Sequence, residues 1–215
     1  MNFRPILILD FVVLILALSF HEMSHAWAAN RLGDPTAARL GRLTMNPLVH
    51  IDPIGTILLP LFLTLTNAHF MFGWAKPTPV NPGNLRHPRR DDALVAVAGP
   101  LSNLLLAVVA AAIARICLAA QPQEGSFLGD ALVLLVQIVD LNVLLALFNL
   151  LPIPPLDGGA LAVNLLPRSL SSIGDALRSY GFLIFVLLLY SGVTGVILQP
   201  IREVVTSLLL GQSIG

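Results

Sequence analysis

His21-Glu22-Met23-Ser24-His25 is the stretch of this chain whose residue types and spacing could do chemistry. On a helix, positions i and i+4 share a face, so His21 and His25 can offer two imidazoles to one metal ion. Glu22 lies beside them, where a carboxylate can take a proton from a water that the ion activates. That combination points to metal-assisted hydrolysis. The plainer reading is a helix end carrying interfacial polar groups. It fares badly on energy, because a charged side chain within a membrane helix costs about 2.5–3.5 kcal/mol unless something pairs with it. A metal supplies that pairing.

Zinc at a catalytic centre takes three protein ligands and keeps one position open, so a third ligand is needed. Outside the pentapeptide the acidic residues are Asp10, Asp34, Asp52, Asp91, Asp92, Asp130, Asp140, Asp157, Asp175, Glu124 and Glu203. Asp157 stands out because Pro152, Pro154 and Pro155 break the preceding apolar run and Gly158-Gly159 follow it. Such a break lets an acidic side chain enter a membrane where protein, not lipid, surrounds it. The residue types alone leave Asp157 equally well explained as a helix N-cap.

The elements that must position these groups are apolar. Of 215 residues, 56% are hydrophobic and 11% charged, with a mean hydropathy of +0.83. Soluble domains carry about 25% charged residues, and several apolar runs here reach membrane-spanning length. The net charge is zero, so no basic excess points to a nucleic acid. The lone cysteine, Cys117, has no partner for an internal disulfide and reads as a small buried hydrophobe. The N-terminal apolar stretch lacks a small-residue cleavage site and runs into His21, so it reads as a retained helix.

Full spans are expected at about Ile6–Ala28, with its stop near Asn30–Gly33, and at Ala93–Leu118, Leu128–Leu151 and Leu177–Leu198, the last stopped by Pro200; Ile201–Leu210 either spans or lies at the interface. Ala38–Thr44 alternates weakly, as a short strand or hairpin would. Ile54–Leu65 is apolar but short for a span and broken by Pro60. Gly73–Arg90 reads as a proline-rich extended loop. The expectation is an all-α polytopic membrane protein of about four full transmembrane helices, plus a re-entrant segment and short extended or β-hairpin membrane-dipping loops. Residues 1–215 would form a single domain with no loop long enough for a separate soluble module.

The pentapeptide and Asn149-Leu150-Leu151-Pro152-Ile153-Pro154-Pro155-Leu156-Asp157-Gly158 together resemble the two signatures of site-2 proteases, the intramembrane zinc metalloproteases of the M50 class. Gly99-Pro100-Leu101-Ser102-Asn103 is similar to a third motif of that family. The resemblance implies that His21, His25 and Asp157 bind one Zn2+ per chain and that Glu22 is the catalytic base. It also implies that Asn149 holds the substrate or the tetrahedral intermediate. The segments around Gly41–Pro47 and Gly73–Pro82 would be loops that receive substrate. The chain departs from the family in lacking a PDZ domain and in having one span before the metal site, which marks a minimal form.

Topology gives an independent expectation. Three ligands of one ion share one membrane depth, so Ile54–Leu65 must dip and return, or stay at the interface. Full crossing would put Asp157 about 30 Å away on the other face. Arg31, Arg39, Arg42, Lys76, Arg86, Arg89, Arg90, Arg168 and Arg178 then share one face, and the connector Gln121–Ser126 opposite has no basic residue. The positive-inside rule makes the shared face cytoplasmic, with Arg4 as an exception. A short chain without a targeting sequence fits a prokaryotic plasma membrane. The expected partners are the lipid bilayer and transmembrane protein substrates, and the sequence is compatible with a separate regulatory protein and with a homo-oligomer.

Asn149 could donate an amide N–H to a developing oxyanion, or bond a nearby helix carbonyl instead. Gly99, Asn103, Ala107 and Ala110 or Ala111 fit the small-residue packing of membrane helices. His50, His69 and His87 are expected in structural or surface roles. Two rival functions are an inactive pseudoprotease that binds or escorts membrane partners, and a metal transporter. Glu22, which neither folding nor metal binding requires, weighs against the first. The absence of duplicated halves weighs against the second.

Overall fold

In the computed structural model, residues 5–66, 73–123 and 125–211 are described. Arg4, His69 and Glu124 lie outside them, as do parts of the loop and connector they sit in. The described residues are helical or irregular, and five of their helices are long and apolar enough to cross a membrane. By their contacts they group into two compact units, Met1–Gly99 and Pro100–Gly215.

The first unit opens with α1, Pro5–Leu32. The helix ends at Leu32, within the stop expected at Asn30–Gly33. Arg31 lies 5.4 Å above the exposed Trp27 ring one turn earlier. An aromatic and a basic residue together suit a membrane–water boundary.

Next, Ala38–Thr44 is not a strand. Thr36–Arg39 is a helical turn, α2, followed by turns and bends. Asp34 accepts hydrogen bonds from both the amide and the hydroxyl of Thr36. That local side-chain turn outweighs a weak alternation that finds no partner strand among the described residues. The apolar segment after Asp52 is helical throughout: a wide turn, Pro53–Leu58, leads into α3, Leu59–Leu65. Asp52 caps it through the amides of Ile54 and Gly55.

The chain from Gly73 to Asn81 is extended and donates hydrogen bonds at every second residue. Trp74 N–H bonds Gly55 O at 3.2 Å and Lys76 N–H bonds His50 O at 2.8 Å. Alternate residues of an extended chain aim their amides to the same side, so one edge of this segment is tied into the unit. Helix α4, Pro88–Ala119, begins five residues before the expected Ala93. Proline suits a first helical position, and the Asp91 carboxylate accepts the His87 N–H at 2.8 Å.

In the second unit, α5 is Phe127–Asn149 and α6 is Asp157–Leu165. Buried Ala107, Ala110, Ala111 and Ala114 of α4 pack with Val139 and Val143 of α5 and with Leu210. Small residues let helix backbones approach where lipid offers no hydrophobic drive. Asn103 donates to Asn142 Oδ1 at 2.9 Å, with both side chains buried.

The last apolar stretch divides differently from expectation. Helix α7 is Ser171–Ser191 and α8 is Val193–Leu210, with the break at Gly192 (φ 72°) and Pro200 inside α8. Glycine adopts the left-handed conformation without strain. Proline is tolerated in membrane helices because its freed carbonyl finds other partners. Both helices qualify by length and apolarity as spans, so Ile201–Leu210, open in sequence between spanning and interfacial, is part of a helix of spanning length. Helix α8 packs on α5, where Arg202 meets Asp140 at 3.0 Å near the middle of both helices.

Candidate metal centre

Helix α1 places His21 and His25 one turn apart, and both side chains are buried. Their rings meet edge to face at 4.7 Å between centroids, with the two Nε2 atoms 3.0 Å apart. His25 Nδ1 lies 2.7 Å from the main-chain carbonyl of Val95 on α4. A carbonyl only accepts, so Nδ1 carries the proton there and Nε2 keeps its lone pair. Orientation of an imidazole by a carbonyl at its second nitrogen is what a metal-ligating histidine needs.

Gly99 completes the wall on that side. A Cβ built at this position would stand 2.3 Å from His25 Nε2 and 2.6 Å from His21 Nε2. The pocket at the imidazole nitrogens therefore exists because residue 99 has no side chain. Sequence reading assigned Gly99 to helix packing. The neighbours it packs against are the two imidazoles of α1.

Asp157 is the first residue of α6. Its N-cap is Leu156, with no side-chain capping bond, so the capping alternative does not describe this carboxylate. Local close packing fixes its place. A Cβ at Gly158 would lie 2.2 Å from Leu150 O, and one at Gly159 would lie 2.2 Å from Pro154 N. The two glycines seat the start of α6 directly on the proline-rich turn. His21, His25 and Asp157 each offer one ligand atom, and these atoms all lie within 4.8 Å of one another. Two imidazole nitrogens and a carboxylate oxygen are a donor set that zinc accepts, and the cradle left by Gly99 gives it room.

Glu22 is half-buried. Its Oε2 accepts the backbone N–H of Thr78 at 2.8 Å, and its main-chain carbonyl accepts the Thr78 hydroxyl at 2.9 Å. Thr78 was not foreseen, because a contact across 56 residues leaves no local signature. Asn149 ends α5, and its side-chain amide donates to Leu145 O at 2.9 Å. A primary amide has two N–H groups, so one is committed to the helix.

The remaining candidates take structural roles. His50 is buried, with Nε2 2.9 Å from Thr44 O. Asp52 caps a helix and His87 sits beside the start of α4. Cys117 is half-buried and forms no disulfide.

Comparison with known proteins decides the family. The chain is 37% identical over 201 residues to the Bacillus subtilis protein named "Putative zinc metalloprotease YwhC", covering 92% of this chain and 88% of that one. It is 33% identical over 193 residues to "Putative zinc metalloprotease Rip2" of Mycolicibacterium smegmatis, covering 86% and 70%. It is 32% identical over 178 residues to the Rip2 protein of Mycobacterium tuberculosis H37Rv, covering 82% and 64%. The chain belongs to this zinc metalloprotease family. Its cofactor is Zn2+, and with five apolar helices of spanning length among the described residues it is a membrane protein. No family model and no solved structure matches it.

Proposed function

We propose that this chain is an intramembrane metalloprotease of the site-2, M50-class type, hydrolysing peptide bonds within or near transmembrane segments of other membrane proteins. The observation that carries the reading is a proton-accepting carboxylate, Glu22, next in sequence to two buried, facing imidazoles on an apolar helix of spanning length. Soluble peptides have no reason to be cut by a centre embedded in such helices.

In this reading His21, His25 and Asp157 hold the zinc. When bound, zinc supplies Lewis acidity, polarising a carbonyl and making water acidic enough to lose a proton near neutral pH. Glu22 takes that proton and returns it to the leaving amine. Asn149 offers its second amide N–H to the developing oxyanion, an interaction worth about 2.7–4 kcal/mol in comparable sites. A substrate helix must unwind first, because helical carbonyls are already bonded. The extended chain of residues 73–81 and the turns of 41–47 offer strand-like pairing to the unwound segment. The segment 53–65, with 13 residues, is short for a span and dips and returns. The positive-inside rule puts the centre toward the cytoplasmic face of a prokaryotic plasma membrane.

The test uses the purified, zinc-loaded chain and a panel of quenched-fluorescent transmembrane peptides. Cleavage should vanish with Glu22→Gln and with chelation, and return on adding zinc back. Equal cleavage by Glu22→Gln would defeat the mechanism. Deleting residues within 41–47 should abolish cleavage with zinc still bound, and unchanged cleavage would remove that segment from substrate binding.

A further inference from the structure

The stretch Lys76-Pro77-Thr78-Pro79-Val80 has an uncommon distribution of donors. Pro77 and Pro79 have no N–H, so Thr78 carries the only amide donor between Lys76 and Val80. That single donor goes to Glu22 Oε2 at 2.8 Å, and the hydroxyl of the same residue goes to the Glu22 carbonyl at 2.9 Å. Thr78 thus grips the glutamate at both ends, side chain and main chain. The grip is stiff. Pro77 and Pro79 fix their own φ, and each biases the residue before it toward extended backbone. The neighbouring amides of Trp74 and Lys76 anchor the same edge to Gly55 and His50.

We propose that Thr78 is the positioning residue of Glu22: it holds one carboxylate oxygen and the helix carbonyl of the base, leaving the other carboxylate oxygen to exchange the proton. The proposal rests on the reading of Glu22 as proton acceptor. A glutamate side chain has three freely turning bonds, and an acceptor that wanders from hydrogen-bond reach of its water is idle for most of the time. A donor fixed between two prolines removes that freedom before substrate arrives. The segment therefore does two jobs on opposite sides. Positions 74, 76 and 78 bind inward, the last of them to the base. Positions 75, 77 and 79 face the other way, and of these only Ala75 has an N–H. An incoming strand would meet an edge that accepts from it at 77 and 79 but does not donate.

The experiment uses the full-length, zinc-loaded protein in detergent and a transmembrane peptide that the wild type cleaves and Glu22→Gln does not. Thr78→Val keeps shape and the amide bond to Glu22 Oε2 but removes the hydroxyl bonded to the Glu22 carbonyl, Thr78→Ser restores that hydroxyl, and Thr78→Pro removes the amide donor itself. Thr78→Pro should lower kcat about tenfold, with KM and the zinc-to-protein ratio unchanged, Thr78→Val should lower it by less, and Thr78→Ser should stay within about twofold of wild type, in line with the loss of one hydrogen bond at a time. Wild-type kcat in Thr78→Pro would overturn the proposal. So would an equal loss in Thr78→Ser, or a fall in zinc content that matches the fall in kcat. Any of these leaves the protease reading intact, because wild type and Glu22→Gln still differ. If those two cleave alike, it is the reading of Glu22 that fails.

Discussion

Gly99 lies so close to His25 that a single added carbon would stand 2.3 Å from its Nε2. The imidazole is held by Val95 O, which restrains it from turning away. Gly99→Ala should leave the helices folded and weaken zinc binding by about 10–100-fold, the range for disturbing a ligand's support. Titration with a competing chelator measures this, with circular dichroism reporting the fold. Unchanged affinity would mean that α4 moves freely at this point.

Asp157→Asn replaces a charged oxygen donor by a neutral amide at nearly constant volume. Zinc affinity should fall by at least as much as in Gly99→Ala, and cleavage with it. Metal analysis of the purified variant against wild type gives the answer. Full occupancy in Asp157→Asn would exclude this carboxylate from the ligand set.

Much of the site was legible in sequence, because its strongest signals are local. The helical pair of histidines and the carboxylate after a proline-broken run need only spacing to be noticed. Gly99 and Thr78 were not legible in their roles. Their significance lies in contacts with residues 74 and 56 positions away, and a glycine beside a proline looks like packing wherever it occurs. The fold was misjudged where a residue's habits in water differ from those in lipid. Pro200 reads as a stop in the sequence, yet it lies inside α8, and the break falls at Gly192. Ala38–Thr44 differs for another reason, since weak alternation cannot outweigh the local turn that Asp34 holds at Thr36.

Asp34, outside the spans and fully buried, gathers hydrogen bonds from Thr36, Asn81 and Asn84. Burial pushes its pKa up, but the bonds from Asn84, Thr36 and Asn81 together outweigh burial, and the net shift is below the ordinary 3.8. A carboxyl lowered on folding adds stability above its unfolded value and loses it as pH falls through the folded one. The thermal midpoint of the wild type should therefore hold from neutral pH to about 4 and drop below it. Asp34→Asn should start lower and lack that component of the drop. Parallel pH profiles of the two would be evidence against the clamp.

Asp140 and Arg202 each lie near the centre of an apolar helix, about a third exposed. Arg202→Met strands the carboxylate and should cost about 2–3 kcal/mol, of the order of the insertion cost of a central aspartate. Asp140→Leu with Arg202→Met removes both charges and should recover most of the loss. Unfolding in mixed micelles compares the three. If the single and double variants are equally unstable, packing rather than charge sets the effect.

The same pair bears on how the protein is made. The acidic member leaves the ribosome about sixty residues ahead of its basic counterpart, a delay of a few seconds at ordinary rates of synthesis. During that interval α5 carries an unneutralised carboxyl into the insertion machinery and has little reason to depart alone into lipid. Its release is expected to wait for α8, so that the two helices are handed over together. Translation halted before Arg202 would leave α5 as a poorly anchored segment, open to quality-control proteolysis.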